Sequence, residues 1–468
     1  MLFNSLHFIF FLPVVVLVYY LLAHKYRWIL LFTASSYFYS VFYFPYVFVL
    51  YAVILIDYVC GLVIERSEGR KRWWWLVISI ISNIGLLSYF KYTNFFIDMF
   101  NETAPWVHIS KHIKNLDIIL PIGLSFHTFQ SLSYTIEVYR NKQKAEKHIG
   151  YFANYVLFFP QMVAGPIERY ERLGNELRIS QQLSYDNVSH GLRLILYGLF
   201  VKMCIADNLA PLVDEVYQAP LSYYSSSVWM AMIAFAIQIY ADFYGYSTVA
   251  LGAARMLGIH LMDNFKQPYF ATGIQDFWKR WHISLSTWFR DYVFFSMGGS
   301  KVKVFRWIIN ILFLFAISGF WHGANYTYII WGLLHGIAYL LDKGISNLIP
   351  TQIKQLKFYS ILSMLLTFTV VVIIWVFFRA KDLKSSLSIL KQSTGYGFEA
   401  NIHLQVSWIP LFMLGLFILI EIAIINTRFD NWLASKKISI RWSIYIVLIL
   451  CLLLFSGIKS IPFIYFQF

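Results

Sequence analysis

The chain has 468 residues, of which 59% are hydrophobic, 20% aromatic and only 13% charged, and its mean hydropathy is +0.59. An ordinary soluble protein carries roughly a quarter charged residues. The composition therefore excludes a soluble enzyme, a disordered chain and a coiled coil, and the long unbroken apolar runs exclude a β-barrel, whose strands alternate in polarity. It predicts an all-α, polytopic membrane protein.

The formal net charge is +14, from 38 Lys and Arg against 24 Asp and Glu. In a membrane protein such an excess is typical of basic loops that face the anionic cytoplasmic leaflet, so we predict membrane lipids and no nucleic acid as partners. The cysteines Cys60, Cys204 and Cys451 lie in apolar runs without metal-like spacing, so no metal site is predicted. The first apolar stretch, 6–22, follows no basic n-region and is interpreted as a retained span.

Spanning helices are predicted wherever about 20 largely apolar residues follow one another, since this length crosses about 30 Å of hydrocarbon. The long candidates, in chain order, are 6–22, 28–44, 46–64, 73–97, 118–138, 188–205, 228–254, 358–378, 407–426 and 441–458. Four further apolar segments are short or interrupted: 151–167, 274–298, 305–320 and 326–341. We predict about 11–12 transmembrane helices plus re-entrant or interfacial helices. Since no repeat or long linker divides the chain, a single membrane domain, 1–468, is predicted.

Lys and Arg in the short loops predict which side of the membrane each loop faces. Basic clusters occupy 66–72, 140–147 and 255–306, whereas 207–226 and 321–330 contain neither Lys nor Arg. With the basic loops in the cytoplasm, the turn at 321–325 faces outward. The loop that carries Arg379, Lys381 and Lys384 disagrees, because it also falls on the outer side.

The segment 275–291, QDFWKRWHISLSTWFRD, combines aromatic and basic residues. On a helical wheel its aromatic residues, among them Phe277, Trp278 and Trp281, share one arc, and its basic residues lie opposite. The pattern predicts one amphipathic helix that lies in the interface or dips partway into the membrane. His282 lies at the edge of the apolar arc. It is either satisfied by a neighbour in a merely anchoring helix or functional, and both interpretations stay open.

The segment 318–325, SGFWHGAN, ends another apolar run. A helix over the 16 residues 306–321 rises about 24 Å, which is less than the hydrocarbon thickness. His322 is therefore predicted to lie within the depth of the membrane, where Gly319 and Gly323 allow the backbone to break. An ionisable group at such depth is a functional candidate, and the alternative is a histidine that links two helices by hydrogen bonds.

A neutral imidazole at His322 can accept a proton from a hydroxyl as the hydroxyl attacks an acyl carbonyl, and then deliver it to the leaving group. No nucleophile elbow, P-loop or metalloprotease motif competes with this interpretation. His335, inside the next apolar helix, is interpreted as structural. Three acids in apolar runs, Asp57, Asp242 and Glu421, are interpreted as hydrogen-bonded between helices rather than as parts of an ion pathway.

Seven motifs resemble those of the membrane-bound O-acyltransferase (MBOAT) superfamily and, within it, the bacterial AlgI-like (alginate O-acetyltransferase) branch. They are LFNSLHFIFFLP, FFPQMVAGPIERY, QIYADFYGYS, DFWKRWHISLSTWFRDY, SGFWHGANYTYIIWGLLHG, WVFFRA and IPFIYFQF, in this order and almost from end to end of the chain. The chain departs from the family pattern at Tyr244, where a serine is usual, at Thr248, where an aspartate is usual, and at Ser296 and Met297, where Pro-Leu is usual.

The resemblance implies a helical fold with re-entrant helices around a transmembrane tunnel open to both faces, and a catalytic core at about 118–345. It implies that His322 is catalytic and that His282 is a second functional histidine. Further side chains are predicted to line the tunnel or contact substrate: Trp278, Trp281, Trp321, Asn325, Asp242 and Gln238.

The implied activity is transfer of an acyl group, usually acetyl, from a cytoplasmic thioester to a hydroxyl on the other side of the membrane. The donor is an acyl-CoA or a carrier-protein thioester, without a tightly bound cofactor, and the implied partner is an extracytoplasmic SGNH-type acetyltransferase or a polysaccharide acceptor. We predict an O-acyltransferase of the bacterial inner (cytoplasmic) membrane for polysaccharide or cell-envelope O-acetylation. The alternatives are D-alanyl, lipid or peptidoglycan acylation by the same fold, and a non-catalytic transporter or scaffold.

Overall fold

The computed structural model describes residues 1–107, 112–395, 402–456 and 462–464. Within these ranges every regular element is helical, which confirms the predicted all-α class. The chain forms two compact units, Met1–Ser189 with Ala253–Met262, and His190–Gly252 with Asp263–Phe468. The prediction of a single functional domain stays a prediction.

Up to Gln218, the described part of the chain forms ten α-helices. They are α1 Leu6–Leu21, α2 His24–Ser40, α3 Pro45–Arg66, α4 Gly69–Leu87, α5 Thr93–Thr103, α6 Leu124–Tyr139, α7 Ile149–Leu157, α8 Asn175–Arg178, α9 Tyr185–Phe200 and α10 Asp207–Gln218. Short π-helical segments extend or connect some of them at Ser88–Tyr92, Tyr170–Gly174 and Val201–Ala206.

The second half begins with the 32-residue helix α11, which is about 48 Å long at 1.5 Å per residue. Its helices are α11 Ser225–Met256, α12 Ile274–Arg280, α13 Ile283–Phe289, α14 Val304–His322, α15 Tyr326–Leu348, α16 Thr351–Lys354, α17 Lys357–Arg379, α18 Leu383–Ser393, α19 Trp408–Ala423, α20 Phe429–Ala434 and α21 Ile438–Phe455.

Seven helical stretches in the described part of the chain are long and apolar enough to cross a membrane, and two shorter apolar helices, α1 and α19, join them. The seven are Pro45–Arg66, Gly69–Trp106, Tyr185–Gln218, Ser225–Met256, Val304–His322, Lys357–Arg379 and Ile438–Phe455. Other segments among the 11–12 predicted spans are shorter or more polar helices. A multi-pass membrane protein is therefore shown.

The predicted span at 118–138 is longer than the helix in the structure, which starts only at Leu124. Gly123 has a φ of 75°, and a Cβ atom on it would lie 2.5 Å from the carbonyl oxygen of Met162. A left-handed residue in such close contact stops a helix from continuing upstream.

The three acids in apolar runs are bonded between helices, as predicted. Asp57 accepts hydrogen bonds from Ser79 Oγ at 2.6 Å and Asn83 Nδ2 at 2.8 Å. Glu421 accepts from the Tyr197 and Tyr240 hydroxyls at 3.1 and 2.7 Å. Asp242 pairs with a buried lysine, which is described with the site below. Buried polar groups with such partners join apolar helices that dispersion alone would hold loosely.

Candidate functional site

His322 is the last residue of α14, and a short turn leads from it into α15. The predicted break lies at Gly323, where the chain leaves the helix, whereas α14 continues through Gly319. Gly319 serves close packing instead: a Cβ atom there would lie 2.1 Å from the Tyr328 carbonyl oxygen of α15. A Cβ atom on Gly332 would likewise lie 2.1 Å from the Phe315 carbonyl oxygen of α14. The two glycines let the helix backbones touch beside His322.

The imidazole of His322 is buried among aromatic rings. Its ring centroid lies 4.9 Å from that of Trp321, 5.2 Å from Trp331 and 5.4 Å from Phe378. These rings exclude most water from the imidazole. In such surroundings the electrostatic interactions of the imidazole are stronger than in bulk water.

His282 lies at a break between two short helices, so the prediction of one continuous amphipathic helix over 275–291 is wrong. Helix α12 ends at Arg280 and α13 starts at Ile283. His282 itself is left-handed, with φ 42° and ψ 55°. This conformation costs a side-chain-bearing residue about 1–2 kcal/mol and concentrates at functional sites.

The break brings His282 to His322. Their ring centroids are 6.4 Å apart, and Trp321 lies 6.4 Å from His282. The ring of Phe243, on α11, meets His282 edge to face at 4.6 Å. The two imidazoles are therefore neighbours in one buried cluster.

The other six predicted site residues fall into two groups. Trp281 and Trp321 are buried and Trp278 is half-buried, all three in the aromatic cluster around the two histidines. Trp278 lies 5.9 Å from Trp331, and Trp281 lies 5.0 Å from Trp375. The remaining three, Asn325, Gln238 and Asp242, lie outside this cluster.

Asn325 is the N-cap of α15, where its side-chain oxygen accepts a hydrogen bond from the Thr327 N–H at 3.0 Å. Its amide group also donates to the Lys381 carbonyl oxygen at 3.0 Å. Asn325 therefore ties the turn after His322 to the loop after α17.

Gln238 and Asp242 line a small cavity of about 30 Å³ together with Lys202. The Lys202 ammonium pairs with Asp207 at 2.7 Å and also with Asp242. Sequence reasoning missed Lys202. The signal was a lysine inside an apolar run, five residues before an aspartate. It lies in the π-helical segment Val201–Ala206, and π-bulges occur often at functional sites.

A larger cavity of about 500 Å³, called the basic cavity below, lies beside the C-terminal half of α11. Its lining includes four cationic side chains, Lys266, Lys279, Arg280 and Arg428, against one carboxylate, Asp263. The local charge suits an anionic ligand. The lining also includes Tyr244 and Thr248, two of the positions at which the sequence departs from the family pattern.

Arg428 is held at the basic cavity by Asp430. Its Nε and Nη2 atoms donate to the two carboxylate oxygens of Asp430 at 3.0 and 2.7 Å, and His190 Nδ1 lies 2.9 Å from the same carboxylate. Burial raises the pKa of Asp430, but hydrogen bonds and charge from Arg428 and His190 outweigh burial and hold the pKa below its usual value. Asp430 is therefore a carboxylate that fixes a cation at the cavity wall.

A third cavity, of about 630 Å³ and called the loop cavity, lies before the start of α11. It is lined by residues of 214–222 and 379–388, among them Tyr217, Lys381 and Lys384, and Arg379 pairs with Asp214 at its wall. Helix α11 contributes Gln238 and Asp242 to the small cavity and residues from Tyr244 to Leu251 to the basic cavity. No group of three or more metal-binding side chains occurs among the described residues.

The sequence was compared with known families and proteins. The MBOAT family model (MBOAT, membrane-bound O-acyltransferase family) matches residues 125–381. A Pseudomonas aeruginosa protein named "Probable alginate O-acetylase AlgI" is 37% identical over 403 residues, 85% of this chain and 75% of that protein. The "Peptidoglycan O-acetyltransferase" of Helicobacter pylori is 36% identical over 441 residues, 86% of this chain and 82% of that protein.

A more distant similarity extends to another activity. The "Teichoic acid D-alanyltransferase" of Bacillus subtilis is 30% identical over 248 residues, 49% of this chain and 60% of that protein. The family model covers both histidines and the helices around them. The chain therefore belongs to the membrane-bound O-acyltransferase family and is a multi-pass membrane enzyme that transfers acyl groups to hydroxyl acceptors.

Proposed function

We propose that the enzyme transfers acetyl groups from a cytoplasmic thioester across the bacterial inner membrane to an extracytoplasmic hydroxyl, for O-acetylation of a polysaccharide or another envelope polymer. The pairing of His322 with His282 at 6.4 Å inside an aromatic cluster is the observation that carries the proposal. The two relatives that cover most of the chain bear names of O-acetylating proteins, which favours acetyl over D-alanyl transfer.

In the proposed reaction His322 acts as the general base. A ring nitrogen takes the proton from the acceptor hydroxyl while the hydroxyl oxygen bonds to the thioester carbonyl carbon. The tetrahedral intermediate then collapses: the carbon–sulfur bond breaks, and the imidazolium returns the proton to the sulfur. The products are the O-acetyl ester and the free thiol. We assign to His282 the task of orienting the carbonyl group from the opposite side, with Trp278, Trp281 and Trp321 as the walls of the site.

The donor is proposed to bind at the basic cavity. Acyl-CoA and an acylated carrier protein share one chemical feature, a phosphate-bearing pantetheine thioester, and the cationic side chains of this cavity suit the phosphate. No resident cofactor is required in this scheme. The acceptor, a polysaccharide or an SGNH-type acetyltransferase that passes the acetyl group on, is assigned to the side of the loop cavity.

Charge reversal of the basic cavity is expected to weaken donor use. With Lys266→Glu and Lys279→Glu together, the KM for acetyl-CoA should rise about 10-fold at low salt and less at high salt, because exposed charges are screened. The measurement is initial rate against donor concentration in membrane vesicles, repeated with an acetylated carrier protein. The control, Lys301→Glu with Lys303→Glu, makes the same change in the same basic segment away from the cavity lining. Equal effects of both pairs would contradict the assignment.

The direction of transfer is tested in inverted inner-membrane vesicles that enclose the extracted polymer. Labelled acetyl-CoA or acetylated carrier protein is added outside, on the former cytoplasmic face. Base-labile label on the enclosed polymer, dependent on the enzyme, is the expected result. Label that requires the donor inside the vesicles would refute the proposed direction, and transfer of D-alanine in place of acetate would favour the alternative substrate.

A further inference from the structure

Residues 264–266 form a strap that lies against both sides of the break at His282. The Ile283 N–H donates to the Asn264 carbonyl oxygen at 2.9 Å, just after the break. The Lys266 N–H donates to the Arg280 carbonyl oxygen at 3.0 Å, just before it. The strap thus forms hydrogen bonds with backbone groups that would otherwise stay unbonded where one helix ends and the next begins.

The side chain of Asn264 extends the strap in two further directions. Its Oδ1 accepts a hydrogen bond from Ser284 Oγ at 2.6 Å, and Ser284 is the second residue after His282 along the chain. Its Nδ2 donates to Ser247 Oγ on α11 at 3.1 Å. All three side chains are buried. Asn264 is therefore hydrogen-bonded to α11 and to the first two residues of α13, so it connects the long helix with the histidine break.

The backbone around the strap is held in unfavourable conformations. Three residues other than glycine have a positive φ in the described chain, and two of them, Gln267 at 41° and His282 at 42°, flank the strap contacts. Such conformations persist where contacts with the surrounding structure hold the backbone in them. Asn264 is bonded to the two residues that follow His282, Ile283 and Ser284.

We propose that Asn264 is the positioning residue of His282: through Ser247, Ser284 and the Ile283 amide it holds the break in the conformation that turns the His282 ring toward His322. This inference rests on the proposed function for its catalytic consequence. Asn264 also lies in the wall of the basic cavity.

The test compares two variants of nearly equal size. Asn264→Leu removes both side-chain hydrogen bonds, whereas Asn264→Asp keeps an acceptor for Ser284 and gains one that Ser247 can use when its hydroxyl rotates. We expect Asn264→Leu to lower kcat about 10- to 100-fold, as for a displaced catalytic group, with a change in donor KM of about twofold or less. Asn264→Asp should recover most of kcat. Asn431→Leu, an exposed residue of α20, is the matched control.

A double-mutant cycle separates positioning from general destabilisation. If Asn264 acts through His282, the His282→Ala enzyme should lose nothing further when Asn264→Leu is added. Losses that multiply, or a kcat of Asn264→Leu equal to wild type, would overturn the proposal. A fall confined to the thermal midpoint, with kcat per folded enzyme unchanged, would overturn it too.

A second readout does not depend on catalysis. The rate at which diethyl pyrocarbonate modifies His282, followed by peptide mass spectrometry, should rise in Asn264→Leu and stay near wild type in Asn264→Asp. Unchanged modification in Asn264→Leu would refute the positioning role. If the wild-type enzyme transfers no acetyl group but the modification rate still rises, the strap is supported while the proposed function fails.

Discussion

Replacement of His322 by alanine is expected to lower acyl transfer by about two to four orders of magnitude, while the protein still accumulates in the membrane. The imidazole is the base in the proposed reaction, and the rings of Trp321, Trp331 and Phe378 that pack on it carry no basic group. The measurement is ester-linked acetate on envelope and secreted polysaccharide of a deletion strain. The strain is complemented with wild type or the variant at equal membrane abundance.

The matched control for this experiment is His7→Ala. His7 is an exposed histidine of α1 that contacts Tyr37, so its loss removes an imidazole without touching the site. Wild type and His7→Ala should both restore acetate. Equal restoration by His322→Ala would refute the general-base role and would leave a transporter or scaffold function as the better explanation. No acetate change in any strain would direct the assay to D-alanine.

Gly319→Ala is expected to cause a large structural effect beside the site. The new Cβ atom would lie 2.1 Å from the Tyr328 carbonyl oxygen and 2.9 Å from its carbon, so backbone rather than a flexible side chain must move. Overpacking of this kind costs about 1–3 kcal/mol, and His322 is three residues further along the same helix. We expect a lower thermal midpoint and a fall in activity of about 100-fold.

Gly344→Ala makes the same change in the adjoining helix α15 and serves as its control. Nothing lies within 4 Å of a Cβ atom at Gly344, which is exposed. Alanine favours the helix there by up to about 1 kcal/mol, so the thermal midpoint should stay constant or rise. Thermal unfolding of the purified enzyme in detergent and acetate transfer per milligram provide the two measurements. A Gly319→Ala enzyme with wild-type values in both would refute the proposed role of the helix contact.

Much of the site was predictable from sequence because its information is local. His322 follows an apolar run of countable length, and the distance along a helix is a property of the helix alone. The motif order identified the family for the same reason, since it needs no knowledge of contacts. The function of Gly319 was not predictable, because a glycine that permits a break and a glycine that permits close packing look alike in one sequence.

The conformation of His282 was missed because a helical wheel assumes an uninterrupted helix. Its break is stabilised by hydrogen bonds from residues 264–266, and nothing within 275–291 reveals them. The nearby Asp207 was a local signal for Lys202, but the pairing of Lys202 with Asp242, 40 residues away in the chain, was not predictable. Single-sequence patterns do not record such pairings.

Composition and motifs alone establish that this chain is helical, crosses a membrane several times and resembles one acyltransferase family, because burial preference and helix length act residue by residue. The meeting of His282 with His322, the contact of α14 with α15 at Gly319, and the grouping of distant cations around one cavity depend on the packed helices. These features depend on tertiary packing, because each requires different segments of the chain to lie next to one another in space.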